Sequence, residues 1–353
     1  MAIIINLDEL MNKNGYTLTG LAEEIGITLA NLSNLKNGKT FPSKDTLDNL
    51  CRVLKCQPGD ILEYRLQEKG KVIPLFLDYS GTTDYLLNGG AENVKRFFDS
   101  VISMQNKSNC EVQITMVTGS AYESAKSKYT LLHQLAENYG LPELFSGAVA
   151  EYCGFLINKE GSQSLLPLDT RILSKRSEIA SIASKYDSCG KISPATTSLY
   201  NLQFETISRE DLAKVSMEID SLINDPEIET LTYFDEYGKE CDVKPKNHTK
   251  AQAVYMVVNQ LREKYDVPFV VIGGDSQEED LRMYTLNKER LGSLGLESIF
   301  IAPKNIGEFA NNDKNIIVGD WENSDGIADC IRRLTTRMEV KEDGGIQIWK
   351  NIV

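Results

Sequence analysis

The sequence predicts a two-part protein of the α/β class. An all-α segment of five short helices comes first, then a parallel-sheet domain with an inserted α+β part. Three observations predict this. Residues 1–68 carry apolar residues at helical spacing, broken by Gly and Asn-Gly. From residue 72 onward, strand-length apolar runs alternate with amphipathic stretches, the rhythm of a parallel sheet covered on both faces. The segment RLQEKGK at 65–71 is a polar, charged junction between the two patterns. The length of 353 residues agrees with two or three domains at roughly 150 residues each.

The elements follow in order. Leu7, Leu10 and Met11 share one face of a first helix, which Asn14-Gly15 stops. Leu18, Leu21, Ala22 and Ile25 repeat in a second, broken by Gly26. Thr28 caps a third helix whose apolar face is Leu29, Leu32 and Leu35, ending at Asn37-Gly38. Pro42-Ser43 opens a fourth with Leu47, Leu50 and Leu54, and a short fifth starts near Pro58. Downstream, residues 72–77, 112–117, 268–272, 298–302 and 316–318 read as buried strands. Val94, Phe97, Phe98 and Val101 form a helix face, and helices are also expected around 124–139 and 251–264. Residues 146–243 interrupt the alternation with a hairpin, a helix near 208–223 and strands near 228–234. They read as an inserted α+β subdomain that splits the sheet domain into 71–145 and 244–340. Residues 341–353 form a tail.

Composition narrows the function classes. Hydrophobic residues make up 41% and charged residues 25%, enough apolar material for a full core and too much for a disordered or collagen-like chain. No stretch approaches the ~20 apolar residues of a membrane helix. The opening MAIIINLDEL lacks the basic start and cleavage site of a signal peptide. Seven dispersed cysteines without a CxxC pair imply reduced thiols and a cytoplasmic protein. Only two histidines, His133 and His248, argue against a His-based zinc site or a Ser-His-Asp triad. The net charge of −13 is uneven: residues 1–68 hold seven Lys/Arg against nine Asp/Glu, so most of the acidity lies downstream. Overall charge therefore does not exclude a nucleic-acid surface on the first segment.

Residues 18–54 place two helices around a Gly-centred turn, Ile25-Gly26-Ile27, the geometry that lets a second helix enter the major groove. The exposed positions of that helix are Thr28, Ala30, Asn31, Ser33, Asn34 and Lys36. Asn pairs with adenine through two hydrogen bonds. Thr28 and the helix N-terminus suit a phosphate, and Lys36 and Lys39 suit nonspecific phosphate contacts. The phrases NLSNLKNGKTFPSKDTLDNLC and LKCQPGDILEY resemble the lambda-repressor-like, XRE-type helix-turn-helix family over about 60 residues. The resemblance implies a five-helix domain that binds double-stranded operators, usually as a homodimer.

Four short signals end the downstream strands: LFLDYSGTT (75–83), ITMVTGS (114–120), KNHTKAQAV (246–254) and VVIGGDSQEED (270–280). Ligands of open parallel sheets gather at the carboxyl ends of strands. Such a sheet brings Asp78, Thr118, Lys250 and Asp275 together. Carboxylates there suit a hard cation such as Mg²⁺. A carboxylate attacks phosphorus, hydroxyls and backbone N–H groups hold phosphoryl oxygens, and a lysine neutralises charge. In this order the signals resemble the haloacid dehalogenase (HAD) superfamily over residues 71–340, with a Rossmann-like core. The insertion resembles the α+β cap of its Cof-like, sugar-phosphatase branch, and AEYCGFLINKEG (150–161) resembles the start of that cap. The resemblance implies Asp78 as nucleophile, Thr118 as phosphate-binding hydroxyl and Lys250 as orienting lysine. It implies a metal held by Asp78, the backbone carbonyl of Ser80, Asp275 and Asp280, with Glu279 a near alternative to Asp280. The departure is Ser80, where phosphatases of the superfamily carry a second aspartate as acid and base. Serine is too weak for that work, which is typically worth ~10²–10⁴-fold. Three readings follow: a slow Mg²⁺-dependent phosphatase, a domain that binds a phosphorylated small molecule or nucleotide as a signal, and a catalytically dead dimerisation module. The two resemblances together imply a DNA-binding transcription regulator that senses such a ligand; the alternative is an active Mg²⁺-dependent phosphatase with an accessory helix-turn-helix domain.

Overall fold

The structure is a computed structural model that describes residues 2–65, 69–167, 169–186, 202–205, 209–234, 239–277, 279–306 and 313–349. The chain divides into two units, Met1–Lys69 and Gly70–Val353, close to the junction read from RLQEKGK.

The first unit begins with strand β1 (Ala2–Ile5) and then holds the five expected helices: α1 (Leu7–Asn14), α2 (Leu18–Ile25), α3 (Leu29–Lys36), α4 (Lys44–Leu54) and α5 (Pro58–Ile61). Local chemistry sets their ends. Gly15 and Gly26 adopt the left-handed conformation that closes α1 and α2. Thr17, Thr28 and Ser43 accept backbone N–H bonds at the starts of α2, α3 and α4. Leu7, Leu21, Leu32 and Leu50 are fully buried together. The expectation of an all-helical segment requires one correction. β1 pairs antiparallel with β2 (Leu62–Arg65), with Ile3 opposite Tyr64, so a two-stranded ribbon joins both ends of the unit. The apolar run AIII supplies one strand, but its partner lies sixty residues away, beyond the reach of local pattern.

The second unit is built on strand β3 (Val72–Asp78), every residue of which is buried. After it come α6 (Tyr85–Asn88), α7 (Ala91–Ser108), β4 (Glu111–Val117), α8 (Tyr122–Asn138), β5 (Phe145–Ala150), β6 (Phe155–Asn158) and β7 (Gly161–Ser164). The inserted part carries α9 (Thr170–Ser174), α10 (Arg176–Lys185), β8 (Leu202–Glu205), α11 (Arg209–Ile223), β9 (Ile228–Phe234) and β10 (Lys239–Pro245). The chain then returns through α12 (Lys250–Lys264), β11 (Phe269–Gly273), α13 (Asp280–Gly292), β12 (Glu297–Ala302), β13 (Ile316–Val318) and α14 (Asn323–Arg337). It ends in the ribbon of β14 (Met338–Val340) and β15 (Ile346–Ile348).

The main sheet has the order β13-β12-β11-β3-β4-β5-β6-β7. Its first six strands run parallel, and β6 and β7 add antiparallel. Side chains alternate across β3. Ile73, Leu75 and Leu77 pack against Phe97, Leu132 and Ile331 of α7, α8 and α14. Val72 and Phe76 pack with Val254 and Tyr284 of α12 and α13. This two-faced burial is why the strands read as unbroken apolar runs.

Two expectations shift here. The sheet is mixed rather than wholly parallel. The insertion expected from residue 146 also enters later in the fold, because β5, β6 and β7 join the main sheet and AEYCGFLINKEG lies in them. A hairpin pattern states that two strands pair and not which sheet receives them. The inserted layer itself is the antiparallel sheet β8-β10-β9, with Ile179, Leu212, Val215 and Ile219 of its helices packed beside Cys241 and Val243 of β10.

Candidate functional site

In the first unit, α3 follows α2 through Gly26 and presents its polar side. Thr28, Ala30, Asn31 and Lys39 are exposed, and Ser33, Asn34 and Lys36 are half-buried. Two of these groups are already engaged. The Thr28 hydroxyl accepts the Asn31 N–H at 3.2 Å, and Lys36 Nζ lies 2.9 Å from Asp8 Oδ1. Leu29, expected in the apolar face, is 47% exposed. It is the first residue of α3, and the buried stripe is centred between Leu32 and Leu35, so Leu29 falls on its flank.

In the second unit the sheet register brings the strand ends level. Asp78 is aligned with Val117, which puts Thr118 one residue beyond it on the neighbouring strand. Gly273 of β11 is aligned with Leu77, so Asp275 emerges on the other side. Lys250 and Asp280 are the first residues of α12 and α13, whose N-termini face the same edge. Carboxylate oxygens of Asp78, Asp275 and Asp280 lie within 4.8 Å of one another. Lys250 Nζ bridges Asp280 Oδ1 at 2.8 Å, Asp78 Oδ1 at 2.9 Å and Glu279 Oε2 at 3.0 Å. Asp280 Oδ2 accepts the Ser276 N–H at 3.1 Å and lies in the carboxylate cluster, while the Glu279 carboxylate reaches the lysine.

The loop after β3 makes room for this. Gly81 is left-handed at φ 65°, and a Cβ there would overlap the Asp275 carboxylate. A Cβ at Gly274 would overlap Asp280 in the same way. The Thr83 hydroxyl fixes the turn by donating to the Asp78 carbonyl at 2.9 Å. Ser80 is exposed, and its hydroxyl makes no hydrogen bond among the described residues.

The electrostatics are strained in one direction. Burial, with Asp280 and Asp275 adding to it and Lys250 opposing, pushes the Asp78 carboxyl up to about 8. Burial and Asp280 push Asp275 up to about 6. Burial works against the Lys250 ammonium, but Asp280, Asp78 and Glu279 outweigh it and hold its pKa well above the usual range. One lysine is surrounded by more carboxylates than it can neutralise. Such a cluster favours an added positive charge, and its all-oxygen donors suit a small hard cation.

Three neighbouring features were missed by sequence reasoning. Lys128 of α8 donates to Ser120 Oγ at 3.0 Å and lies 4.2 Å from the centre of the Tyr79 ring. The only sequence signal is its position on the helix that follows TGS. Glu151 and Tyr152, both left-handed at φ 51° and 64°, form a strained turn after β5. Their N–H groups bond the carbonyls of Ser120 and Thr118 at 3.0 and 3.1 Å. The Tyr152 ring occupies space that a Cβ at Gly119 would need, and its hydroxyl bonds Asp242 of β10. A cleft of about 120 Å³ lies alongside, lined by Tyr152, Lys244, Lys250, Glu279, Arg282 and Leu286 among others. His248, in the loop between β10 and α12, is 3% exposed.

The helical unit thus has the fold and exposed helix of a helix-turn-helix DNA-binding domain. Residues 6–67 match the Cro/C1-type HTH DNA-binding domain model. The HTH-type transcriptional regulator YozG of Bacillus subtilis is 48% identical over 85 residues, 24% of this chain and 99% of that protein. The chain belongs, through this first unit, to the Cro/C1-type helix-turn-helix family.

Over the remainder, solved structures with a similar course include phosphatases and a hydrolase of the HAD superfamily. The phosphatase BT1666 of Bacteroides thetaiotaomicron is 13% identical, with 78% of this chain and 98% of that chain covered at a TM-score of 0.48. The sucrose-phosphatase of Synechocystis is 13% identical over 76% of this chain and 98% of its own, at a TM-score of 0.44. The haloacid dehalogenase-like hydrolase yhjK of Bacillus subtilis is 17% identical over 75% and 95%, at 0.39. Among the described residues no helix is long and apolar enough to cross a membrane.

Proposed function

We propose that this protein is a DNA-binding transcription regulator whose second unit binds a phosphorylated small molecule or nucleotide together with Mg²⁺ and hydrolyses it slowly. One observation carries the reading. Asp78, Asp275, Asp280 and Lys250, spread over two hundred positions, meet at the strand ends, and the residue two beyond Asp78 is a serine. Asp78, Asp275, Asp280 and the Ser80 carbonyl would hold the metal. When bound, Mg²⁺ supplies charge neutralisation for a phosphoryl group. In this reading Asp78 attacks phosphorus, Lys250 orients its carboxylate, and Thr118 holds a phosphoryl oxygen. Ser80 lacks the acidity to protonate a leaving group or activate water, which favours retention over turnover.

On the DNA side, Asn31 and Asn34 are the base-reading side chains, and Thr28, Ser33, Lys36 and Lys39 meet the backbone, with Ala30 at the surface of the groove. A homodimer would read two half-sites. Ligand binding alters operator affinity only through unequal affinity for the two states of the regulator.

The test combines both units in the full chain. Mg²⁺ should stabilise the protein, and inorganic phosphate should add to that effect. Turnover of a generic phosphate ester should be slow and rise about 10²–10⁴-fold in Ser80→Asp. Vigorous turnover by the unaltered chain, abolished in Asp78→Asn, would make it an enzyme first. Absence of any Mg²⁺ effect would remove the ligand reading and leave the DNA-binding one.

A further inference from the structure

The acidic pocket poses a charge problem. A phosphoryl dianion has to approach Asp78, Asp275, Asp280 and Glu279, while Lys250 is already shared by three of these carboxylates at 2.8–3.0 Å. Besides the metal, a second protein cation beside the strand ends would ease that approach, and the fold holds one next to the residues that flank Asp78 and Thr118. Lys128 lies two turns into α8 and is half-buried, with its Nζ 3.0 Å from Ser120 Oγ. Among the described residues it makes no ion pair. Its charge is steadied instead by the face of Tyr79 at 4.2 Å, the residue directly after Asp78.

The hydroxyls beside it complete a donor set. Thr118 Oγ1 and Ser120 Oγ are 3.0 Å apart, and Thr118 Oγ1 also accepts the Ser120 N–H at 3.1 Å. One hydroxyl proton is used between the two side chains. Ser120 Oγ is also an acceptor for Lys128, so the other hydroxyl proton is left to donate outward. The ammonium keeps two further N–H groups.

Resting on the phosphate-site reading above, we infer that Lys128, seated on Tyr79 and tied through Ser120 to Thr118, binds the phosphoryl oxygens of the ligand and is the main protein cation for that anion. Lys250 then serves the carboxylates and Lys128 serves the phosphate. The electrostatic surroundings agree: burial lowers the Lys128 pKa, and Asp78 and Asp84 pull it back up, so its charge acts on the neighbourhood of Asp78.

The experiment is calorimetric titration of the full chain with Mg²⁺ alone and then with inorganic phosphate at saturating Mg²⁺. Lys128→Gln should weaken phosphate binding tenfold or more while Mg²⁺ alone binds as well as before or slightly better, since a positive charge has left the vicinity of the carboxylates. Lys128→Arg should keep most of the phosphate affinity, and Ser120→Ala should lose less than Lys128→Gln. Equal phosphate binding by wild type and Lys128→Gln would overturn the inference and leave the phosphate site intact. Loss of Mg²⁺ binding in Lys128→Gln would mark Lys128 as structural and overturn it too. A wild-type chain that takes Mg²⁺ but no phosphate would sink the phosphate-site reading itself.

Discussion

The helix-turn-helix surface and the acidic pocket place their working groups in opposite ways. On α3 the polar side chains are neighbours in sequence, exposed or half-buried, and held by one helix with a threonine at its start. In the pocket they come from β3, β11, α12 and α13, are mostly buried, and meet only because parallel strands are in register. The first arrangement is energetically quiet: its groups face water, and their removal leaves the core of Leu21, Leu32 and Leu50 untouched. The second stores electrostatic tension, since more carboxylates are held together than the one lysine among them neutralises. The exposed side chains of α3 are thus largely separable from stability in one unit, and the clustered carboxylates are coupled to stability in the other.

The sharpest break of that contrast compares two lysines. Lys250→Ala leaves buried carboxylates without their shared partner and should cost about 3–5 kcal/mol by urea unfolding. Lys36→Ala removes an exposed pair with Asp8 and should cost under about 1 kcal/mol. Equal losses would show that the pocket is no more strained than the surface.

A second comparison uses pH. Burial pushes His248 down to about 4, with Lys244 adding to the effect and Asp169 opposing it. The fold therefore prefers the neutral ring. Its contribution is fully present above about 6.5 and is lost as pH falls toward 4, because the unfolded chain takes up the proton first. The loss amounts to up to about 3 kcal/mol. His248→Gln should flatten this part of the profile, measured as the urea midpoint at pH 7 and pH 5 in parallel with wild type. Identical slopes would place His248 in contact with water. No histidine lies in residues 1–68, so the first unit has no counterpart to this effect.

The smallest effects concern α3. Asn31→Ala should lower operator affinity by about 1–3 kcal/mol, and nonspecific affinity by less. Thr28→Ala should cost about 1 kcal/mol of stability through the lost cap. Equal weakening of all DNA sequences by Asn31→Ala would move that side chain onto phosphate.

Most of this division was legible in the sequence. Gly26, Thr28 and Ser43 punctuate helices by local chemistry, and Asp78, Thr118 and Asp275 follow apolar runs at strand ends. What escaped was non-local. The β1–β2 ribbon pairs segments some sixty residues apart, and the sheet that receives β6 and β7 is decided by packing. Leu29 has the residue type of a core position and the helix phase of a flanking one. Lys128 reads as one more charge on an amphipathic helix, because its direction depends on how α8 lies against β4 and β5. The carboxylates stood out because four short signals follow one another in a set order at strand ends, whereas a single helical lysine is ordinary until its neighbours are known.

The Tyr152 bridge has a mechanical consequence. Its ring rests on Gly119, its backbone holds Thr118, and its hydroxyl grips β10 of the inserted layer. That layer cannot swing away from the sheet without either snapping this grip or tugging the hydroxyl loop out of place. The position of an element with no acid in the cluster is thereby felt at the turn that carries Thr118, as a door's angle is felt at its latch.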